Sequence, residues 1–180
     1  MPANDLSENE TWEVIAYLRS IQPKAPPQSV GNRHAGENVF FGEGYCYTCH
    51  MVRGRGGRLG PDLSRVAVAR SPEYIVEAIR EPDKQVSEGL VEPGRDFPMR
   101  YDTVTVTLRN GEKITGIAKN EDTFSIQLMD DHENLRFFAK KNLKSIVHER
   151  RSLMPAYGSA DLPEAKLQDL LAYLESLRGE

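Results

Sequence analysis

Apolar residues recur along this chain with two different periods, and the change of period divides it. From Leu6 to Ile21 the apolar positions Trp12, Ile15 and Leu18, with Val14 beside them, follow helical spacing. Ser7 with Glu10 three residues on is a capping-box pattern and predicts the start of that helix. A short helix is expected over Ala35 to Phe41. Ser71-Pro72-Glu73 places a cap, a first-turn proline and an acidic residue in order, with Tyr74, Ile75, Ala78 and Ile79 as the inner face and Glu81-Pro82 as the stop. Beyond residue 100 the period falls to two. Val104, Val106 and Leu108 alternate with threonines, Arg109-Asn110-Gly111-Glu112 is a hairpin turn signal, and further strands are expected at 114–118, 123–129, 135–139 and 145–147. Helical spacing then returns at Leu167, Leu170, Leu171, Leu174 and Leu177, with Asp161 as the expected cap.

The first and last helical patterns are alike. Aligning 6–21 with 162–177 makes six of sixteen pairs identical and keeps the apolar phase throughout, and a Met-Pro pair (Met1-Pro2, Met154-Pro155) precedes each. Between the first pattern and the rest lie Pro23, Pro26 and Pro27, the composition of a semi-rigid linker. The expected organisation is therefore four parts. Residues 1–21 form a helix, 22–32 a linker, 33–98 with 150–180 a helical domain, and 99–149 an inserted β unit.

Composition narrows the class. The net charge of −4 is too mild for a general polyanion binder, no basic-aromatic stacking surface stands out in the β unit, and no nucleic-acid partner is expected. No run of apolar residues is long enough to span a membrane.

The chemistry is concentrated in Tyr45-Cys46-Tyr47-Thr48-Cys49-His50. Residues three apart on a helical turn share a face, so both sulfurs can address one object, and the next residue can reach a metal at its centre. C-x-x-C-H at this spacing is the signature of covalent c-type haem attachment, with two thioether bonds and His50 as an iron ligand. Half of a zinc site or a redox dithiol are the alternatives. The first needs about four ligands, whereas His34, His132 and His148 are scattered; the second needs a parallel α/β setting.

Past the arginine- and glycine-rich stretch Arg53 to Arg58 comes Gly60-Pro61-Asp62-Leu63, and before the last helix comes Ser152-Leu153-Met154-Pro155. With these segments the chain resembles the class I cytochrome c family. The resemblance implies that the Pro61 carbonyl accepts a hydrogen bond from His50 and that Met154 is the second iron ligand. Met99 and His148 border the insertion and are the rivals to Met154; Met51 adjoins the proximal ligand and Met129 reads as a strand residue. The resemblance also implies a crossing of the first and last domain helices at Gly36 and Phe40, with Tyr173 as aromatic partner. The glycine-rich arginines are expected to pair with haem propionates, to form a docking patch, or to be a solvated loop. The β unit, through V-T-V-T-L-R-N-G-E-K-I-T-G, is similar to the opening hairpin of an Sm-like or SH3-like barrel. A cytochrome core split in this way resembles the haem-binding domains of large proteins of Planctomycetes, Verrucomicrobia and Acidobacteria.

The expectation is thus a mainly α cytochrome c fold with an inserted small antiparallel β-barrel, α+β overall. It would carry one covalently attached haem c, bound by Cys46, Cys49, His50, Pro61 and Met154, and transfer single electrons without being an enzyme. Its expected partners are a redox protein donor and acceptor, such as another cytochrome c domain or a membrane complex. The barrel is expected to dock or space. Maturation of such haems implies a periplasmic or otherwise extracytoplasmic location, although Met1 to Asp5 shows no signal-peptide pattern. Residues 1–21 are expected to be the last helix of an upstream cytochrome domain, with Met1 as the axial ligand of its haem. The competing class is a haem enzyme or gas sensor with an open distal position.

Overall fold

A computed structural model describes residues 5–21, 30–86 and 100–179. Met1 and Met99 lie outside them, as do most of the proline linker and the 87–99 connection.

Helix α1 (Glu8–Ile21) begins at the expected capping box: the Ser7 N–H and hydroxyl both reach the Glu10 carboxylate, at 2.8 and 2.6 Å. Its apolar side chains Trp12, Val14, Tyr17 and Leu18 are nevertheless exposed.

The helical domain is built on α2 (Arg33–Phe41) and α5 (Glu164–Glu175), which cross in close contact. Asn32 caps α2 by accepting from the His34 and Ala35 N–H groups, and its own N–H donates to Asp169 at 2.6 Å. At the crossing, a Cβ on Gly36 would lie 1.9 Å from the Asp169 carbonyl oxygen, so only glycine permits this approach. Phe40 stacks at a tilt on Tyr173, centroids 5.7 Å apart. Between these helices run the two-stranded hairpin β1 (Met51–Val52) and β2 (Arg55–Gly56), then α3 (Val66–Ala69) and α4 (Pro72–Arg80). The Ser71 hydroxyl caps α4 by accepting from the Tyr74 N–H. Val39, Phe40, Ile75, Ile79, Leu167, Leu170, Leu174 and Leu177 make the core. Asp161 does not cap α5. Its carboxylate accepts from the Gly158 N–H, and Pro163 stands at the helix start, where a proline lacks only an N–H that would be unpaired anyway.

The arginine- and glycine-rich stretch is an ordered hairpin rather than a loose loop. Arg53 and Gly54, at φ 51° and 78°, form the tight turn whose twist suits a two-residue connection.

The β unit is a five-stranded antiparallel sheet of β3 (Thr103–Leu108), β4 (Lys113–Glu121), β5 (Ser125–Met129), β6 (Leu135–Ala139) and β7 (Leu143–Glu149), in the order β6-β5-β4-β3-β7. Val104, Val106, Ile126 and Leu128 form a second core on one face. The first and last residues of the sheet, Thr103 and Glu149, are ladder partners.

Two expectations are corrected here. Among the described residues seven strands stand beside five α-helices, so the fold is not mainly α, and there is no closed barrel among them. Closure needs the two outermost strands of the sheet order to share a ladder. Instead β6 and β7 remain edges, joined by a single 3₁₀ turn at Lys140–Asn142 that carries the chain across the end of the sheet. The third strand also starts late, at Ser125, because Asp122 accepts from the Phe124 and Ser125 N–H groups and holds Thr123 in a turn. No helix among the described residues is long and apolar enough to cross a membrane.

Candidate functional site

Tyr45 takes a left-handed conformation, φ 51°, and turns the chain into a 3₁₀ turn over Cys46–Thr48. The Cys49 and His50 N–H groups both donate to the Cys46 carbonyl, at 3.3 and 2.9 Å. This winds the two cysteines and the histidine onto one turn, the arrangement the spacing predicts, though in the tighter 3₁₀ form where positions three apart eclipse.

The loop that follows is tied back to the same turn. Gly57 N–H donates to Tyr47 O at 2.7 Å, Gly60 N–H to Cys49 O at 2.8 Å, and Leu63 N–H to Met51 O at 2.8 Å. Gly60 lies flat against the imidazole, where an added Cβ would meet ring atoms at 2.7 and 2.8 Å. The His50 Nδ1 lies 2.9 Å from the Pro61 carbonyl oxygen. A carbonyl only accepts, so Nδ1 carries the proton and Nε2 keeps its lone pair. Among the described residues no protein group hydrogen-bonds Nε2. Burial pushes the His50 pKa below its ordinary 6.5, against the opposing pull of the Pro61 bond, so the ring is neutral at pH 7.

Met154 stands across the domain in the segment before α5. Its N–H donates to Ser152 Oγ at 3.0 Å, and the Ser152 N–H donates to Asp83 Oδ1 at 2.7 Å. Tyr157 anchors the other end: its N–H donates to Ile79 O at 3.0 Å, its carbonyl accepts from Arg80 at 2.8 Å, and its hydroxyl donates to Gly44 O at 2.6 Å. The methionine segment is thus pinned to the end of α4 and to the turn just ahead of Cys46.

His50 and Met154 line the same two neighbouring cavities. One also has Cys49, Leu59, Ile79, Tyr101, Ile117 and Leu153 in its wall; the other has Cys46, Cys49, Phe40, Leu63, Tyr157 and Leu174. Both are clefts partly open to solvent rather than closed cavities. The walls are almost wholly apolar. Cys46 and Cys49 are both free thiols, and burial pushes the Cys46 thiol up to about 11. A redox dithiol needs an attacking thiolate with a depressed pKa, so this microenvironment opposes that alternative.

The remaining candidates lie elsewhere. His148 sits on the sheet between Asp102 and Glu121, at 3.3 and 3.0 Å, and lines neither cavity. Met129, at the end of β5 beside its ladder partner Ile117, is buried with Leu59, and Met51 is on β1. His34 and His132 are exposed at the start of α2 and in the β5–β6 turn. Arg55 stacks over the Phe41 ring at 4.0 Å and Arg58 pairs with Glu133, so both are engaged within the chain. Among the described residues, no group of three or more His, Cys, Asp or Glu is placed to hold a metal ion, which leaves the zinc alternative without a ligand set.

Sequence reasoning missed Asp83, Tyr101, Ile117 and Tyr157. Only Tyr157 had a usable signal, an aromatic two residues past the Met-Pro pair. The others reach the site from elements whose placement no local pattern encodes.

Neither a protein-family model nor a curated protein sequence matches the chain.

Proposed function

We propose that this chain is a monohaem c-type cytochrome module that carries single electrons between redox proteins. The observation that supports this reading best is the convergence of Cys46, Cys49, His50 and Met154 on one apolar cleft. The residues suit the group. Two free thiols stand on one turn, a neutral imidazole presents an unpartnered Nε2, and the walls bring no charge into contact with a porphyrin face.

When bound, the haem would supply a one-electron iron couple whose potential is raised by thioether ligation. Cys46 and Cys49 would hold it covalently, and His50 Nε2 and Met154 Sδ would ligate the iron. The Pro61 carbonyl fixes the ring plane of His50 and, by drawing on the Nδ1 proton, makes Nε2 a better donor. Gly60 lets the backbone support the ring from behind. Leu59, Ile79, Leu153 and Leu174 line the cleft with apolar surface, which would disfavour a more highly charged oxidised haem. With His50 and Met154 both as iron ligands, a bound haem would carry electrons rather than take a substrate, which favours a carrier over an enzyme. The partners that fit are a protein donor and acceptor, for instance another cytochrome domain or a membrane complex, in a periplasmic or otherwise extracytoplasmic setting.

The test is the visible and near-infrared spectrum of the haem-loaded protein, with and without carbon monoxide, for wild type and Met154→Ala. A methionine–iron charge-transfer band in the wild type alone, with carbon monoxide binding only the variant, is the expected result. Carbon monoxide binding to the wild type would replace the carrier by a haem enzyme or sensor with an open distal position.

A further inference from the structure

A unit inserted between α4 and the methionine segment is joined to its host by two chain crossings, and a mere spacer would need nothing more. This sheet has much more. On the His50 side, the Glu133 carboxylate accepts from the Arg58 N–H and pairs with the Arg58 guanidinium at 3.6 Å. Glu133 adopts φ 61° to do so, a left-handed conformation that a glutamate rarely takes. From β4, Lys119 Nζ donates to the Arg58 carbonyl at 2.5 Å and approaches the Leu59 carbonyl at 3.4 Å. Residues 58–61 lead directly to Gly60 against the His50 ring and to the Pro61 carbonyl on its Nδ1.

On the Met154 side, the Thr103 N–H and hydroxyl both donate to the Arg151 carbonyl, at 2.9 and 3.0 Å. One apolar cluster then joins the two sides. Ile117 and Met129 of the sheet are buried with Leu59, and Cys49, Tyr101 and Leu153 pack against them. Leu59 is two residues from Pro61, and Leu153 is next to Met154.

We propose that the sheet is a brace across the cofactor cleft, setting the separation of the His50 and Met154 segments, with Lys119, Glu133 and Thr103 as positioning residues. This rests on the cytochrome reading. The consequence is specific: loosening the brace lets the methionine segment leave the cleft more often, because local opening is governed by the contacts that hold a loop. Carbon monoxide then gains access, and the potential falls as methionine ligation is lost for part of the time.

The experiment uses the haem-loaded chain and the combined variant Lys119→Met/Glu133→Ala, with Lys119→Arg as the conservative partner. Hydrogen exchange of the intact chain is read over 57–63 and 151–157, together with the carbon monoxide binding rate. Exchange in both segments is expected to rise about tenfold, the factor that ~1.4 kcal/mol of lost local stability gives. Carbon monoxide binding should rise in parallel, and Lys119→Arg alone should keep most of the wild-type protection. Unchanged exchange in both segments overturns the brace. If the combined variant does not fold, Thr103→Val removes only the hydroxyl bond to Arg151; faster exchange confined to 151–157 supports the brace, and no change overturns it. Failure of the cytochrome reading shows separately, in the wild-type and Met154→Ala spectra, and leaves the exchange result to decide the brace alone.

Discussion

Helices α1 and α5 have nearly the same apolar pattern and opposite fates. Tyr17 is 64 % exposed where its counterpart Tyr173 is 4 %; Leu18 is 51 % exposed against 4 % for Leu174; Val14 is 45 % exposed against 2 % for Leu170. Propensity and capping do not account for this, since α1 has the better cap of the two. The difference lies in the partner. α5 meets α2 at Gly36, whose missing side chain lets two backbones touch, and beyond that crossing its leucines wall the cleft. α1 meets no such surface among the described residues. An amphipathic stripe states what a helix can bury, and only a complementary small-residue surface decides whether it does.

The sharpest way to break the comparison is to spoil the crossing. Gly36→Val should place its Cβ inside the Asp169 carbonyl and cost more than about 3 kcal/mol, seen as a collapse of the denaturation midpoint and loss of α5 protection, with α1 exchange unaltered. Next comes a matched pair. Leu170→Ala should destabilise by about 2–5 kcal/mol, whereas Val14→Ala should stay within about 0.5 kcal/mol; equal losses in urea titrations would mean that α1 is packed after all. The smallest effect is of pH. The Ser7 hydroxyl and N–H hold the Glu10 carboxyl below its ordinary 4.5. A depressed carboxyl stabilises above its unfolded pKa, and that support is lost as pH falls from 4.5 through the folded value. Protection of the amides at the start of α1, taken relative to the intrinsic exchange rate at each pH, should therefore fall on acidification below pH 4.5 while that of α5 is unaffected. Ser7→Ala removes the hydroxyl but keeps the N–H, and should weaken the pH response.

How much of this was legible is clearest residue by residue. The capping serines Ser7 and Ser71 and the strand at 135–139 are local signals and came through at their positions. So did the turn of Cys46, Cys49 and His50, because three-residue spacing fixes a shared face in either kind of helix. The β1–β2 hairpin did not, since Arg53 in a left-handed conformation carries no marker of its own. Barrel closure was over-read: alternation shows that residues 103–149 pair as strands, but whether β6 meets β7 depends on edges that alternation does not describe. The contact of Arg58 with Glu133 spans 75 positions and depends on how the sheet leans on the host, so no window along the chain contains it.

The pairing of Thr103 with Glu149 has an entropic meaning. Thr103 and Arg151 are 48 positions apart, yet hydrogen-bonded. Closing a flexible loop of that length would cost on the order of 3 kcal/mol. Here the closure is made by the sheet's own ladder, so the helical domain meets its inserted unit as a stiff staple about one strand spacing wide, ~5 Å. A sheet that forms first would bring Tyr101 and the methionine segment, which flank that ladder, to the same narrow spacing before the helical domain completes its core.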